Sequence, residues 1–247
     1  MAEHTLPENE TTQNHLEATM PLLPHLERYS ISKDLPVIGT VIWLHGLGAS
    51  GHDFEPLVPE LGLKQNLRFL FPHAPNKPVT INGGMVMPSW YDILSMGFLR
   101  QVSWPEVEAS VQALKDLIAA EAQKGIPSER IILAGFSQGG AIVLHTALRL
   151  ETKLAGILAL STYLLDLDKV PPAAGSANAK SPLEMMHGTF DPVVPFALAE
   201  RSSEAIQKAG YALHWQTYPM EHQVCDVQIR DLAKWYQARA AELEQLS

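Results

Sequence analysis

Residues 131–144 read IILAGFSQGGAIVL, and the fold turns on what that stretch is. Its first five residues are apolar and rich in β-branched types, the pattern of a short strand buried on both faces. From Gln138 to Leu150 the apolar residues recur at helical spacing instead. Between the two lies Ser137, in the pentad Gly135-Phe136-Ser137-Gln138-Gly139. A strand that reverses so sharply into a helix brings the positions two before and two after the serine against backbone, where only glycine fits. Such an elbow presents the serine hydroxyl as a nucleophile. The competing reading is a glycine turn chosen only for close helix–strand packing, and partners elsewhere in the chain decide between the two.

Outward from this stretch the same alternation recurs. Residues 37–46 (VIGTVIWLHG) and 67–75 (LRFLFPHAP) read as strands, with a helix expected at 54–63 and a long amphipathic helix at 104–125. Downstream, strands are expected at 154–162, 182–188 and 211–219, with helices at 193–210 and from about residue 225 to 244. Repeated β-α-β units with nearly continuous apolar strands imply a mostly parallel sheet covered by helices on both faces. In such sheets ligands bind beyond the carboxyl ends of the strands, which serves as a filter for site residues.

The 247 residues are 46% apolar and 18% charged, within the range of one α/β domain. A net charge of −9 without a basic cluster argues against nucleic acid or an anionic membrane as partner and favours a small-molecule substrate. The single cysteine, Cys225, excludes an intrachain disulfide, suits a cytoplasmic location and suggests no metal site. The first twenty residues hold four acids and no Lys or Arg, unlike a secretory signal or anchor. Residues 1–35 are therefore expected to be a flexible tail and leader, and 36–247 a single domain. No apolar run approaches the length of a membrane span.

A serine hydroxyl needs a base within hydrogen-bond reach, and that base needs an acid to fix its tautomer. On elbows of this kind the acid and then the histidine follow the nucleophile in the chain. Asp191, in HGTFDPVVP, and His222, in YPMEHQV, satisfy that order, and each lies just past a strand's carboxyl end. His145, His187 and His214 fall within helices or strands and read as core or surface residues. Asp166 and Asp168 are weaker candidates for the acid, and a cysteine mechanism through Cys225 lacks an elbow to present it. The oxyanion of an acyl transfer needs amide donors, for which Gln138 and, in the loop WLHGLGASG at 43–51, Leu47 are placed.

Together WLHGLGASGHDF, GGMVMPSWYDI, GFSQGGA, HGTFDPVVP and YPMEHQV resemble the phospholipase/carboxylesterase branch of the α/β-hydrolases, which includes bacterial carboxylesterases and acyl-protein thioesterases. The resemblance covers nearly the whole chain after Pro36. It implies an α/β-hydrolase fold, Ser137, Asp191 and His222 as catalytic triad, Leu47 and Gln138 as oxyanion amides, no metal or organic cofactor, and, as in many members, a homodimer. It also puts Trp90 beside the active site. Met85 and Met87, in the segment 82–98, are adaptable apolar side chains suited to an acyl groove, although such clusters are as often core. The chain departs from the family pattern at Ala49, where an acid is usual, and at Glu221 and Gln223 beside the histidine. The reading that follows is a serine carboxylesterase for short-to-medium-chain esters. The alternatives are an acyl-protein thioesterase or lysophospholipase and, in another class, a binding protein without turnover.

Overall fold

The computed structural model describes residues 21–97 and 100–246. Expectations for residues 1–20 and for Phe98 lie outside the described residues. In chain order the elements are β1 (His25–Tyr29), β2 (Gly39–Leu44), α1 (Leu57–Glu60), β3 (Leu67–Pro72), β4 (Asn76–Val79), β5 (Met85–Pro88), β6 (Ile93–Ser95) and β7 (Gln101–Val102). There follow α2 (Trp104–Gln123), β8 (Ile131–Phe136), α3 (Gln138–Ala147), β9 (Gly156–Leu160), β10 (Leu183–Gly188), α4 (Phe196–Lys208), β11 (Leu213–Tyr218) and α5 (Asp226–Gln245).

Seven strands form one sheet in the order β1-β3-β2-β8-β9-β10-β11. All neighbours are parallel except β1, which runs antiparallel to β3. Because alternate side chains enter the two covered faces, the central strands β2, β8 and β9 are apolar almost throughout. Val41 and Trp43 of β2, with Ile132 and Ala134 of β8, join a core with α1 and α5. Ile42 and Leu44, with Ile131 and Leu133, point the other way into a core with α2, α3 and α4. α3 is buried along its whole length, so its ten residues, Gln138 to Ala147, carry no charged face. Each such Leu or Ile withdrawn from water contributes about 1.5–3 kcal/mol, offset by ordering entropy. From β2 the chain first goes to β3 on one side, while β8 lies on the other. That reversal of strand order opens a crevice between the loops after β2 and β8, where sheets of this kind bind ligands.

Three expectations are corrected. β1 falls inside the segment expected to be leader: HLERY is only half-buried and polar at Glu27 and Arg28, as an edge strand tolerates, so it carried little strand signal. The helix expected at 54–63 shrinks to the four residues of α1, since Pro56 and Pro59 remove amide donors and Gly62 turns the chain out at φ 54°. The segment 82–98, where no period was legible, contributes to two small hairpins, β4–β5 and β6–β7, the second irregular in register.

α3 also carries a pH liability. Desolvation, reinforced by the neighbouring Arg149, lowers the pKa of His145 from 6.5 to about 4. Because the folded value lies below the unfolded one, neutral His145 favours the fold fully above about pH 6.5, and that contribution is lost as the pH falls toward about 4. Solvent screening at this incompletely buried site holds the loss to roughly 2 kcal/mol. Urea unfolding at about pH 7.5 and pH 4.5 checks this. His145→Asn should flatten the difference between the two conditions, and an equal loss in both proteins would exclude His145 as its source.

Candidate active site

At the carboxyl edge of the sheet, β8 ends at Phe136 and α3 begins at Gln138, so Ser137 alone makes the turn, with φ 53° and ψ −119°. A side-chain-bearing residue at such a φ costs about 1–3 kcal/mol and persists only where its surroundings hold it. Here the Ser137 amide donates to Leu160 O at 2.9 Å, and Ser137 O accepts from Thr162 Oγ1 at 2.6 Å and from the Ala141 amide at 3.1 Å. A Cβ on Gly139 would lie 2.5 Å from His45 O, and one on Gly135 would lie 2.6 Å from Gly139 O. The close approach of backbone, not turn propensity alone, therefore requires both glycines.

Ser137 Oγ lies 2.9 Å from His222 Nε2, and His222 Nδ1 lies 2.7 Å from Asp191 Oδ2. A carboxylate can only accept, so the ring proton sits on Nδ1 and Nε2 is left to accept from the serine hydroxyl. Asp191 Oδ1 accepts from the amides of Val193 and Val194, both at 2.8 Å. Burial pushes the Asp191 pKa up, but the hydrogen bonds from His222, Val194 and Val193 outweigh it and hold the carboxyl below its ordinary value. The His222 ring also packs on Phe136, with centroids 4.8 Å apart.

Leu47 lies in the loop after β2 and lines the same cavity as Ser137. Among the described residues, neither its amide nor that of Gln138 has an intramolecular acceptor, so both N–H groups are free to donate to a bound group. The loop is braced from both sides. The Gly48 amide donates to Pro88 O at 2.8 Å, His45 Nδ1 donates to Gly46 O at 2.7 Å, and His45 Nε2 accepts from the Ala74 amide at 3.0 Å. Burial lowers the pKa of His45, which keeps it in the neutral form those two bonds require. The buried Gln138 side chain ties the elbow to the segment after β5, accepting from the Trp90 amide at 2.8 Å and donating to Tyr91 O at 2.6 Å.

Of the three residues expected at a substrate groove, Trp90 and Met87 lie against the loop after β2, and Met85 lies on a hairpin. Trp90 is 1% exposed and its indole N–H donates to His45 O at 2.8 Å, so it supports the loop after β2 from within the core. Met85 is 63% exposed on its hairpin, and Met87 Sδ lies against Gly48. A cavity that opens on Ser137, about 590 Å³, is lined by residues far apart in the chain, among them Leu47, Phe54, Leu57, Phe136, Val224 and Ile229. Trp90, Met85 and Met87 do not line it.

Of the residues set aside, Asp166 pairs with Lys169 at 3.3 Å. His187, read as a core histidine, is fully buried, yet its Nε2 lies 2.9 Å from Val194 O and 3.5 Å from Asp191 Oδ2, bracing the loop that carries the acid. Thr162 was missed as well, since a hydroxyl that ties down an elbow from the next strand's end has no sequence signature. Among the described residues no three His, Cys, Asp or Glu side chains converge as a metal cluster. No helix there is long and apolar enough to cross a membrane.

Gly188 sets the height of the histidine loop. A Cβ there would fall on Met220 O and 2.5 Å from Glu221 O, just ahead of His222. Gly188→Ala should lift that loop and lower kcat about 100-fold with the circular dichroism unchanged. A folded variant with native turnover would detach Gly188 from the site.

A family model described as Phospholipase/Carboxylesterase matches residues 28–239. Acyl-protein thioesterase 1 of Cryptococcus neoformans var. neoformans is 38% identical over 228 residues, covering 85% of this chain and 96% of that protein. The Neurospora crassa protein of the same name is 41% identical over 197 residues, 75% of this chain and 80% of its own length. The crystal structure of Arabidopsis thaliana SOBER1 aligns with a TM-score of 0.74 at 29% identity, covering 81% of this chain and 98% of its own. Acyl-protein thioesterase 2 of Zea mays aligns at 0.76 over 87% of this chain and 99% of its own; at 23% identity that likeness is one of fold.

Proposed function

This chain belongs to the phospholipase/carboxylesterase family of hydrolases, and from that premise we propose that it cleaves acyl thioesters, and oxygen esters alongside them, through an acyl–Ser137 intermediate. The observation that carries the mechanism is the unbroken chain Ser137–His222–Asp191 on a strained turn. As Ser137 Oγ attacks the acyl carbonyl, its proton passes to His222 Nε2, and Asp191 stabilises the imidazolium. The amides of Leu47 and Gln138 donate to the oxyanion. On collapse the bond to sulfur or oxygen breaks, and His222 returns the proton to the leaving group. Water then repeats the sequence, giving its proton to His222 and releasing the acid and free Ser137.

The thioester reading is favoured by the names of the relatives at 38–41% identity, acyl-protein thioesterase 1. Chemistry supports both bonds: a thiolate, with a thiol pKa of about 8.5, departs with little help, while an alkoxide needs the His222 proton. Carboxylesterase action on short-to-medium-chain esters is the second reading, favoured by the family's description as Phospholipase/Carboxylesterase. Fluorophosphonate labelling followed by peptide mass spectrometry should place the adduct on Ser137. Parallel assays on S-palmitoyl peptides, lysophospholipids and p-nitrophenyl esters from C2 to C12 separate the readings. Activity confined to the short p-nitrophenyl esters would remove the thioesterase assignment and leave the esterase.

A further inference from the structure

We propose that the cavity opening on Ser137 is the subsite for the leaving group, and that it selects uncharged or cationic apolar alcohols and thiols over anionic ones. The inference rests on the acyl-serine mechanism above and adds which side of the substrate the protein reads.

The argument starts from proton delivery. The leaving atom must come within hydrogen-bond reach of His222 Nε2, the only group in the triad that can protonate it. The oxyanion is held by the amides of Leu47 and Gln138 instead, and the cavity lining also reaches that loop at Gly46, Leu47 and Ala49. The substituent on the leaving atom therefore starts beside His222. The cavity lining includes His222 and, beyond it in the chain, Gln223, Val224 and Ile229 on the first turn of α5, with Phe136 against the imidazole face. Phe54 and Leu57, from the loop and short helix after β2, line it as well. A group departing from Ser137 has an apolar trough of about 590 Å³ ready for it.

Charge gives the trough its sign. Its lining includes one acid, Asp53, and neither Lys nor Arg. Asp53 is exposed, and its Oδ1 accepts weakly from the Ser50 amide at 3.3 Å and hydroxyl at 3.4 Å, both within its own turn. A carboxylate at the mouth of an apolar trough attracts a cation and repels an anion. In an exposed position such a pairing changes affinity about threefold rather than a thousandfold. Desolvating an anion in the trough with no cation to meet it adds to the penalty.

Three thiobutyrates with matched leaving groups test this: thiocholine (cationic), 3,3-dimethylbutanethiol (its neutral isostere) and 2-mercaptoethanesulfonate (anionic). The expected order of kcat/KM is cation above neutral, with the anion about tenfold below neutral. Asp53→Asn should bring the cation to the level of the neutral ester and raise the anion about threefold. Ile229→Trp, which fills the trough, should slow the dimethylbutyl thioester relative to S-methyl thiobutyrate. It should leave the dependence on acyl length, measured with S-methyl thioesters, as in the native protein.

An Ile229→Trp variant that shortens the acceptable acyl chain instead would reassign the trough to the acyl group. An anionic ester cleaved as fast as its neutral isostere would remove the charge selection. In both cases native turnover of S-methyl thiobutyrate and fluorophosphonate labelling of Ser137 persist, so the hydrolase mechanism survives. Loss of labelling and of all turnover in the native protein would overturn the mechanism and the subsite together.

Discussion

Ser137→Ala is expected to lower kcat by about 10⁶-fold and to abolish fluorophosphonate labelling, with the fold intact. The substitution keeps Cβ and so adds no clash at a turn that already holds φ 53°. The bonds that fix the turn come from the Ser137 main chain, to Leu160 and from Thr162 and Ala141, and none uses the hydroxyl. What disappears is the Oγ that lies 2.9 Å from His222 Nε2. The remaining amides of Leu47 and Gln138 would still polarise a bound carbonyl, and sites of this kind keep about 10³–10⁴-fold over water without their nucleophile. Thermal unfolding and single-turnover assays on the same preparation separate chemistry from folding. A variant retaining most of its activity would move the chemistry elsewhere, and Cys225, half-buried at the start of α5, would be the next nucleophile to test with a thiol reagent.

The sheet was legible because its strands are apolar on both faces, and the elbow because three constraints coincide in GFSQGG: a buried strand, a helix and glycines at close approach. Asp191 and His222 could be chosen by chain order and by their place at strand ends, which depends only on counting elements. Other features depend on what faces what. HLERY pairs with β3 as an edge strand, and an edge strand need not be apolar. Met85, Met87 and Trp90 have the composition of a groove, but hairpin geometry turns Met85 outward and buries Trp90 under the His45 carbonyl. The trough is assembled largely from residues 46–57, 136 and 222–229, which lie at or beyond the carboxyl ends of β2, β8 and β11 and meet only in the folded sheet. His187 was read as core, and it is core. Its link to Asp191 arises because the chain doubles back over β10 within four residues.

Asp191→Asn should lower kcat about 10⁴-fold without unfolding the protein. One carboxylate oxygen holds the amides of Val193 and Val194, and the other accepts the proton on His222 Nδ1. Asparagine offers one oxygen and one NH₂. If its oxygen stays with the two amides, which costs least, the NH₂ points at His222 Nδ1. That nitrogen must then accept, the ring proton moves to Nε2, and His222 donates toward Ser137 where it should accept. The loop geometry survives while the base is switched off. Because the lesion lies in deprotonating Ser137, acyl transfer from thioesters and oxygen esters should fall together, although the two differ in how much they need the returning proton. A mutation that impaired only the return of the proton would spare thioesters. Asp191→Ala adds a second effect: it frees the Val193 and Val194 amides and leaves His187 beside an emptied carboxylate site, so stability should fall as well. The native carboxylate, its pKa held below the ordinary value, favours the fold above about pH 4, and that contribution is lost as the pH falls through the lowered value. Parallel kcat measurements on a thiobutyrate and the matching oxygen ester decide the matter. Equal losses place Asp191 behind the base that activates Ser137, whereas a loss confined to the oxygen ester would restrict its role to protonating the leaving group.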